Sequence, residues 1–311
     1  MQIIRDILTH SRFADPIVSL GNFDGVHLGH QAIIRQVVQD ARTNNGTALV
    51  LTFYPHPLSV LRPAQSLPLI LSLREKLLRL QQSGIDAVLL QHFTRPFSLL
   101  SAEDFIQRYL VTALGVKKVI VGHNVSFGYK RTGDARVLES YGQKYGFSVQ
   151  VVGPVLVDGR EVSSTEIRAT LIRGDLREVS RLLGRPYAVS GRVVKGFQRG
   201  RGIGFPTANL LPKGDLLLPN GVYAVRCELN DQRVLGVANV GMNPTFGNNV
   251  RTIETHLFDF SADIYGKRLR VSFIERLRGE QKFSSLDALK RQIGVDAERA
   301  RMLLEQEDDL V

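Results

Sequence analysis

Along the first half of the chain, apolar positions alternate between the spacing of strands and the spacing of helices. Residues 16–23 read as a buried strand, and 30–43 as a helix with Ile33, Ile34, Val37, Val38 and Ala41 on one face. Residues 47–53 form a second strand, closed by Tyr54-Pro55-His56-Pro57, whose prolines forbid its continuation. A helix over 71–82 stops at Gly84 and gives way to a strand over 86–91. Ser101 and Asp104 are spaced like a capping box and open a helix running to residue 114. Strands over 118–121 and 147–152 follow. A further helix opens within 162–168, carries Ile167 and Leu171, and has Gly174 near its end. Strands separated by helices predict a parallel sheet wound by right-handed crossovers.

The period changes after Leu182-Leu183-Gly184-Arg185-Pro186. Residues 222–229 alternate, with Tyr223, Val225, Cys227 and Leu229 on one side, and Asn230-Asp231 supplies a hairpin turn into 233–240. Residues 251–260 and 268–274 alternate too, the second placing Leu269, Val271 and Phe273 on one face. Short strands without intervening helices predict a small antiparallel barrel, and 285–306 closes the chain as a helix. The expected organisation is an α/β Rossmann-like domain over 1–183 and a barrel domain over 184–311.

Composition narrows the function classes. A length of 311 residues with an apolar fraction of 43% lets each half bury a core. Apolar runs such as 48–53 and 87–90 are strand-sized and far short of a membrane span. The opening MQIIRDILTH has no basic region followed by an apolar core, so no secretory signal is expected. The single cysteine, Cys227, excludes an internal disulfide and a Cys-rich metal site. A soluble, cytoplasmic chain is the expectation. The net charge of +10 suits either a nucleic-acid binder or an enzyme that attracts phosphates. Basic residues are scattered, and their densest cluster, 195–201, is interleaved with glycines and not aromatics. Scatter favours the enzyme.

Candidate chemistry in the first half centres on GNFDGVHLGH, residues 21–30, between a predicted strand and a predicted helix. An open α/β sheet binds ligands at that place, and helix N–H groups there attract anions. Gly21, Gly25 and Gly29 match neither the G-x-G-x-x-G fingerprint nor a P-loop. In His27-Leu28-Gly29-His30, two imidazoles flank a glycine that lets phosphate approach the backbone. Both rings can donate to a phosphate whose charge grows during in-line displacement. Gly21, Phe23, Asp24 and Gly29 of the same loop are candidate ATP contacts. The plainer alternative is a strand–turn–helix in which His30 is the cap. Ser163 and Glu166 are spaced as a capping box, but a cap does not require Ser164, Thr165 and Arg168 as well. Those three form a second phosphate clamp.

In the second half, Lys195, Gly196, Arg201, Gly202 and Gly204 belong to a glycine-dense segment able to fold N–H groups and charge around phosphates. Thr207 and Asn209 are neutral oxygen donors on one side of an extended segment. They suit a Mg²⁺ ion that keeps most of its waters and shares nucleotide phosphates. A hairpin turned by Pro206 is the alternative. Glu254, on the polar face of an alternating strand, is a candidate acceptor for an alcohol proton near a γ-phosphate.

The segments GNFDGVHLGHQ, TFYPHP, VGHNVSFG and VSSTEIR resemble, in order, the adenylyltransferase half of bacterial bifunctional riboflavin kinase/FAD synthetases. GRVVKGFQRGRGIGFPTANL, GVYAV, GVANVGMNPTFG, TIETHLFDFSADIYGKRLRV and LRGEQKF resemble their riboflavin kinase half over 185–294. The resemblance implies a Rossmann-like nucleotidyltransferase domain followed by a six-stranded antiparallel barrel with a C-terminal helix. It implies phosphorylation of riboflavin by ATP to FMN, then AMP transfer onto FMN to give FAD and pyrophosphate, with Mg²⁺. By that resemblance His27 and His30 would stabilise reacting phosphates, and Asn124 would sit by the nucleotide. Ser164, Thr165 and Arg168 would hold ATP phosphates, and His56 and Pro57 would face the flavin. The base role falls on Glu254, the Mg·ATP role on Thr207 and Asn209, and a flavin contact on Arg278. The family commonly has acidic residues where this chain has Tyr54 and His123. The implied partners are small molecules, with no nucleic acid, no membrane, and at most weak self-association.

Three rival readings remain. A class I aminoacyl-tRNA synthetase shares an H-x-G-H-type loop, and 282–286 superficially matches its second signature. That segment follows the barrel strands and reads better as a helix cap, and no room is left for an anticodon-reading domain. The others are a non-enzymatic flavin-binding protein and an enzyme with only the kinase active. Decay would strike reactive positions first, yet His27, His30, Thr207, Asn209 and Glu254 are all present.

Overall fold

Strands that are apolar on both faces need cover on both, and the first half of the chain builds its sheet from them. The computed structural model describes residues 1–5, 7–8, 13–65, 67–196, 199–212, 214, 216–230, 232–242 and 251–308; for 199, 201, 307 and 308 it describes the backbone alone. Strands β1 (Gln2–Ile4), β2 (Pro16–Leu20), β3 (Thr47–Tyr54), β4 (Ala87–His92), β5 (Lys118–Gly122) and β6 (Ser148–Val152) form one sheet. Every pairing is parallel, and the strand order is β1-β4-β3-β2-β5-β6. Between them run α1 (Leu28–Thr43), α2 (Pro57–Leu61), α3 (Leu73–Gln82), α4 (Ala102–Phe105) and α5 (Ala135–Tyr145). Helix α1 buries Ile34, Val37 and Ala41 against β2, β3 and β5, the face that its spacing predicts. From β2 the chain moves through β3 to β4 on one side, then returns to β5 on the other. The carboxyl ends of β2 and β5 therefore border the switch point of the sheet.

Several elements differ from the sequence expectation, these among them. The strand predicted over 16–23 ends at Leu20, because Phe23 (φ 50°) and Val26 (φ 41°) have left the extended region. The helix predicted over 101–114 starts as expected, with Ser101 Oγ accepting from Asp104 N at 2.9 Å, but only Ala102–Phe105 is α-helical. Ile106–Ala113 is wound as a π-helix, and there Tyr109 stacks on Phe105 at 5.4 Å and meets Phe97 edge-on. A short hairpin of β7 (Leu156–Val157) and β8 (Arg160–Glu161) turns on Asp158-Gly159, both at positive φ.

In the second half, alternation closes a barrel. Strands β9 (Tyr187–Val194), β10 (Ala208–Pro212), β11 (Gly221–Leu229), β12 (Gln232–Met242), β13 (Arg251–Leu257) and β14 (Arg268–Arg278) pair antiparallel in the closed order β10-β13-β12-β11-β14-β9. Tyr223, Val225, Ala238, Val240, Ile253 and Val271 fill its interior. Leu229 pairs with Gln232 and Asn230 has φ 46°; Asp231, the other residue of the expected turn, lies outside the described residues. Three further helices belong to this half of the structure: α6 (Ser164–Arg173), α7 (Leu176–Leu183) and the one-turn α8 (Arg199–Gly202). Helix α9 (Leu286–Asp308) lays Ala300 and Leu304 on the outward Val222 and Ala224 of β11.

Two compact units result, Met1–Ser164 and Thr165–Val311. The division falls in the first turn of α6, ahead of the change of sequence period after residue 183. Helix α7 explains the difference. Its apolar face, Leu176, Val179, Leu182 and Leu183, is buried, it packs on β9 and β14, and Arg177 bonds Glu275.

One buried ion pair fastens α9. Asp296, 5% exposed, accepts two bonds from Arg278 Nε (3.0 and 2.9 Å), one from Arg278 Nη2 (2.7 Å) and one from Gln292 (2.9 Å). Asp296→Ala leaves the guanidinium buried without its partner and is expected to destabilise the barrel unit by roughly 3 kcal/mol. The denaturant midpoint of that unit's unfolding, compared with the parent chain, checks it.

Candidate active sites

The loop from β2 to α1 is held from beneath. Gly21 N extends the ladder to Leu51 O at 3.1 Å, after which Phe23 turns inward and is 1% exposed. Asp24 is also buried, and its carboxylate accepts from Ile70 N (3.1 and 3.2 Å) and Leu71 N (3.3 Å). Of the expected ATP contacts, Phe23 and Asp24 thus present their side chains to the interior. His27 is the cap of α1, a place the plain reading gives to His30. Its Nδ1 accepts from His30 N at 3.4 Å, which leaves the ring proton of a neutral imidazole on Nε2, a donor. The two rings stack, centroids 3.6 Å apart and 22° from parallel, and His30 also meets Phe23 at 5.2 Å. Gly29 lets the His27 ring lie close: a Cβ there would crowd it, 3.1 Å from Cε1 and 3.2 Å from Nδ1.

Neighbouring candidates follow the ends of other strands. Asn124 is exposed just beyond β5, and the His123 ring beside it lies 3.2 Å from Glu161 of β8. His56 caps α2, with Nδ1 accepting from Leu58 N at 3.3 Å, and Pro57 is its first residue. Ser164 Oγ donates to Asp24 O at 2.9 Å, which ties the start of α6 to the loop. Thr165 is exposed in the first turn of α6, and Arg168 is 9% exposed one turn on. The Glu166 carboxylate accepts from Thr170 and Arg173 further along that helix.

Sequence reasoning missed Lys76. It is 9% exposed in the first turns of α3, and its Nζ donates to Asn22 O and Thr52 Oγ1, each at 3.1 Å. Burial pushes its ammonium down to about 8, against the upward pull of Asp24. The available signal was position, because Lys76 stands with Leu73 and Leu80 at helical spacing on the apolar face of 73–82.

On the barrel, register assembles the second set. Asn209 of β10 pairs with Glu254 of β13, Glu254 with Asn239 of β12, Asn239 with Val222 of β11, and Val222 with Arg278 of β14. Paired residues share a face, so this belt runs around the outside of the barrel. Asn209 is nevertheless 6% exposed, because Gly196 lies against it. A Cβ on Gly196 would stand 2.7 Å from Asn209 Nδ2 and 2.9 Å from Cγ. Thr207 is half-buried just ahead of β10, and Lys195 is exposed with Nζ 5.8 Å from the Tyr265 ring centroid. Gly202 ends α8 and Gly204 follows at φ 89°, while the side chain of Arg201 lies outside the described residues. His256 Nδ1 lies 2.9 Å from Pro206 O, fixing the segment before Thr207 to β13. Arg278, expected toward flavin, carries its guanidinium against Asp296 and 5.7 Å from the Phe283 ring.

Residues 10–166 match the FAD synthetase family model and 183–304 the riboflavin kinase model. The chain belongs to the bifunctional riboflavin kinase/FMN adenylyltransferase family. A relative so named from Escherichia coli (strain K12) is 39% identical over 97% of this chain and 97% of its own length. Another from Pseudomonas fluorescens is 40% identical over 92% of both chains. A crystal structure described as a macrolide-efflux protein from Streptococcus pneumoniae shares the fold at a TM-score of 0.86 and 34% identity, covering 96% of this chain and 98% of that one. Among the described residues no helix is long and apolar enough to cross a membrane. In this member of the family, Gly196→Ala is expected to push the Asn209 carboxamide aside. Riboflavin phosphorylation should fall while adenylylation of supplied FMN persists, as separate assays of the two products would register.

Proposed function

We propose that the chain makes FAD from riboflavin in two steps at two separate sets of residues. It is a transferase of flavin cofactor biosynthesis with riboflavin kinase and FMN adenylyltransferase activities. The kinase role is assigned to residues 184–311 and the adenylyltransferase role to 1–183. The observation that carries the reading is the belt on the barrel. It sets Glu254, the proposed base, directly across from Asn209, the proposed oxygen ligand.

In the kinase step, the terminal hydroxyl oxygen of riboflavin attacks the γ-phosphorus of ATP and ADP leaves. Glu254 accepts the hydroxyl proton, and Lys195 and the N–H groups of the glycine-dense segment hold the phosphates. The donors at Thr207 and Asn209 fit Mg²⁺: both are neutral oxygens, and the backbone of Gly196 closes over Asn209 where a Cβ would not fit. Among the described residues no group of three or more His, Cys, Asp or Glu could cage a metal alone, which suits an ion sharing its shell with nucleotide and water. That ion, when bound, would neutralise charge building on the transferring phosphate.

In the adenylyl step, a phosphate oxygen of FMN attacks the α-phosphorus of ATP and pyrophosphate leaves. His27 Nε2–H and His30 donate to phosphate oxygens as their charge rises, and the positive end of α1 lies behind them. Ser164, Thr165 and Arg168 are assigned to the departing phosphates, Asn124 to the nucleotide, and His56 with Pro57 to the flavin. A cytoplasmic location is part of the reading.

The experiment is to incubate the chain with riboflavin, ATP and Mg²⁺ and resolve riboflavin, FMN and FAD by chromatography. FMN without FAD would leave only the kinase, and no product would overturn both roles. His30→Ala is expected to lose FAD formation and keep FMN formation. Glu254→Ala should lose riboflavin phosphorylation and still adenylylate supplied FMN. Loss of both reactions in either folded variant would overturn the independence of the two sets.

A further inference from the structure

We propose that Lys76 is a positioning residue for adenylyl transfer, its ammonium holding the backbone of the loop that presents His27 and His30. The inference rests on the adenylyltransferase role above and adds a side chain that works from under the loop. Asn22 O is the first carbonyl beyond Gly21, and two donors fix it: Lys76 Nζ at 3.1 Å and Thr52 Oγ1 at 3.2 Å. Lys76 also donates to Thr52 Oγ1, so α3 and β3 grip the same peptide. The peptide needs a grip. Phe23 and Val26 hold positive φ, a conformation that costs about 1 kcal/mol or more per non-glycine residue and persists only where surroundings impose it.

The same loop is held again at Asp24, whose carboxylate caps the N–H groups of Ile70 and Leu71 and whose carbonyl accepts from Ser164. Asn22 and Asp24 are thereby both fixed to the segment that carries α3. Four residues beyond Asp24, α1 begins with the stacked imidazoles. Displacing Asn22 O would move the loop on which the cap depends.

A methionine could fill the volume of the Lys76 stem without desolvating a charge. The ammonium is kept in spite of that penalty, which points to its two hydrogen bonds and its attraction to Asp24 as the reason. Asp24 faces it from the loop, and β3 offers the Thr52 hydroxyl. Glu75 is its buried neighbour on α3, and His27 and His30 lie further along the loop. With the ammonium held down to about 8, Lys76 neutralises as pH rises through that value, and its attraction to Asp24 is lost. Adenylyl transfer should slow over that range, and riboflavin phosphorylation should not.

The full chain tests this as wild type, Lys76→Met and Lys76→Arg, with both reactions assayed between pH 6.5 and 9.5. Lys76→Met is expected to keep riboflavin phosphorylation and lose on the order of tenfold or more in kcat for FMN adenylylation, with KM for ATP little changed. In wild type the adenylylation kcat should fall above about pH 8, and Lys76→Arg should move that fall to higher pH because a guanidinium stays charged. Adenylylation by Lys76→Met within twofold of wild type overturns the inference, as does a wild-type rate that is flat to pH 9.5. If Lys76→Met loses both activities, it has misfolded and Lys76→Arg decides: an unmoved alkaline fall then overturns the proposal. A wild-type chain that makes no FAD from supplied FMN overturns the adenylyltransferase role itself, a result distinct from all of these.

Discussion

The reversal of strand order between β2 and β5 governs the first half of the molecule. Parallel strands must be joined by crossovers, and here the crossover after β2 goes to one side of the sheet while β5 lies on the other. In an open α/β sheet the loops leaving two such carboxyl ends diverge, and ligands bind in the crevice at that point. What the sequence marks out in this half lies just past a strand end: 21–30 after β2, 54–57 after β3 and Asn124 after β5. The helix begun at His27 adds free N–H groups and a positive dipole at the same end. A loop elsewhere on this sheet would lack the opening of the switch point.

The barrel solves a different problem. A six-stranded barrel is too narrow to hold a nucleotide, and its interior is filled by Tyr187, Tyr223 and Phe273 in edge and stacked contact. The side chains proposed for chemistry, Asn209 and Glu254, must then stand on the outer face, where water competes for them. Asn209, Glu254 and Asn239 stand there in register, and the covering is local: Gly196 shields Asn209, and α9 shields the belt at Val222. Arg278 closes the belt, but its pairing with Asp296 makes it a fastener between β14 and α9. A residue expected at the flavin edge is thus also an anchor of the helix beside it.

Both folds were legible in the sequence because burial imposes period. The continuous apolar runs of β3 and β4 announce strands covered on both faces, and the alternation ending in Cys227, Glu228 and Leu229 announces one that is open on its outer face there, while α9 covers Val222 and Ala224. The H-x-G-H loop was legible through its place between a strand and a helix, and the tight link from β11 to β12 through the residue types between them. Other features depend on contacts far apart in sequence. The π-wound turns at 106–113 have the composition of an ordinary helix, and β1 has only three residues with which to signal a strand. The cap fell on His27 and not His30, since either imidazole precedes a helical run and only the backbone angles at 27 decide. Lys76 was hidden because a lysine in a helix reads as solvated until its neighbours are known.

The Lys76–Asp24 pair also sets stability and positioning against each other. The folded chain lowers the Lys76 ammonium from its ordinary 10.5 to about 8, so between those values the unfolded chain binds more protons than the folded one. Stability must then rise with pH across that window. The burden of the buried charge is fully present below about 8 and is relieved as the proton leaves. Over the same window the bond that holds Asn22 O loses its cationic character, and the attraction between Lys76 and Asp24 fades. A side chain present only to stabilise the fold would not be placed where its charged form is disfavoured. The geometry makes sense if the charge serves the loop, and a strained loop that carries two stacked imidazoles is what it holds.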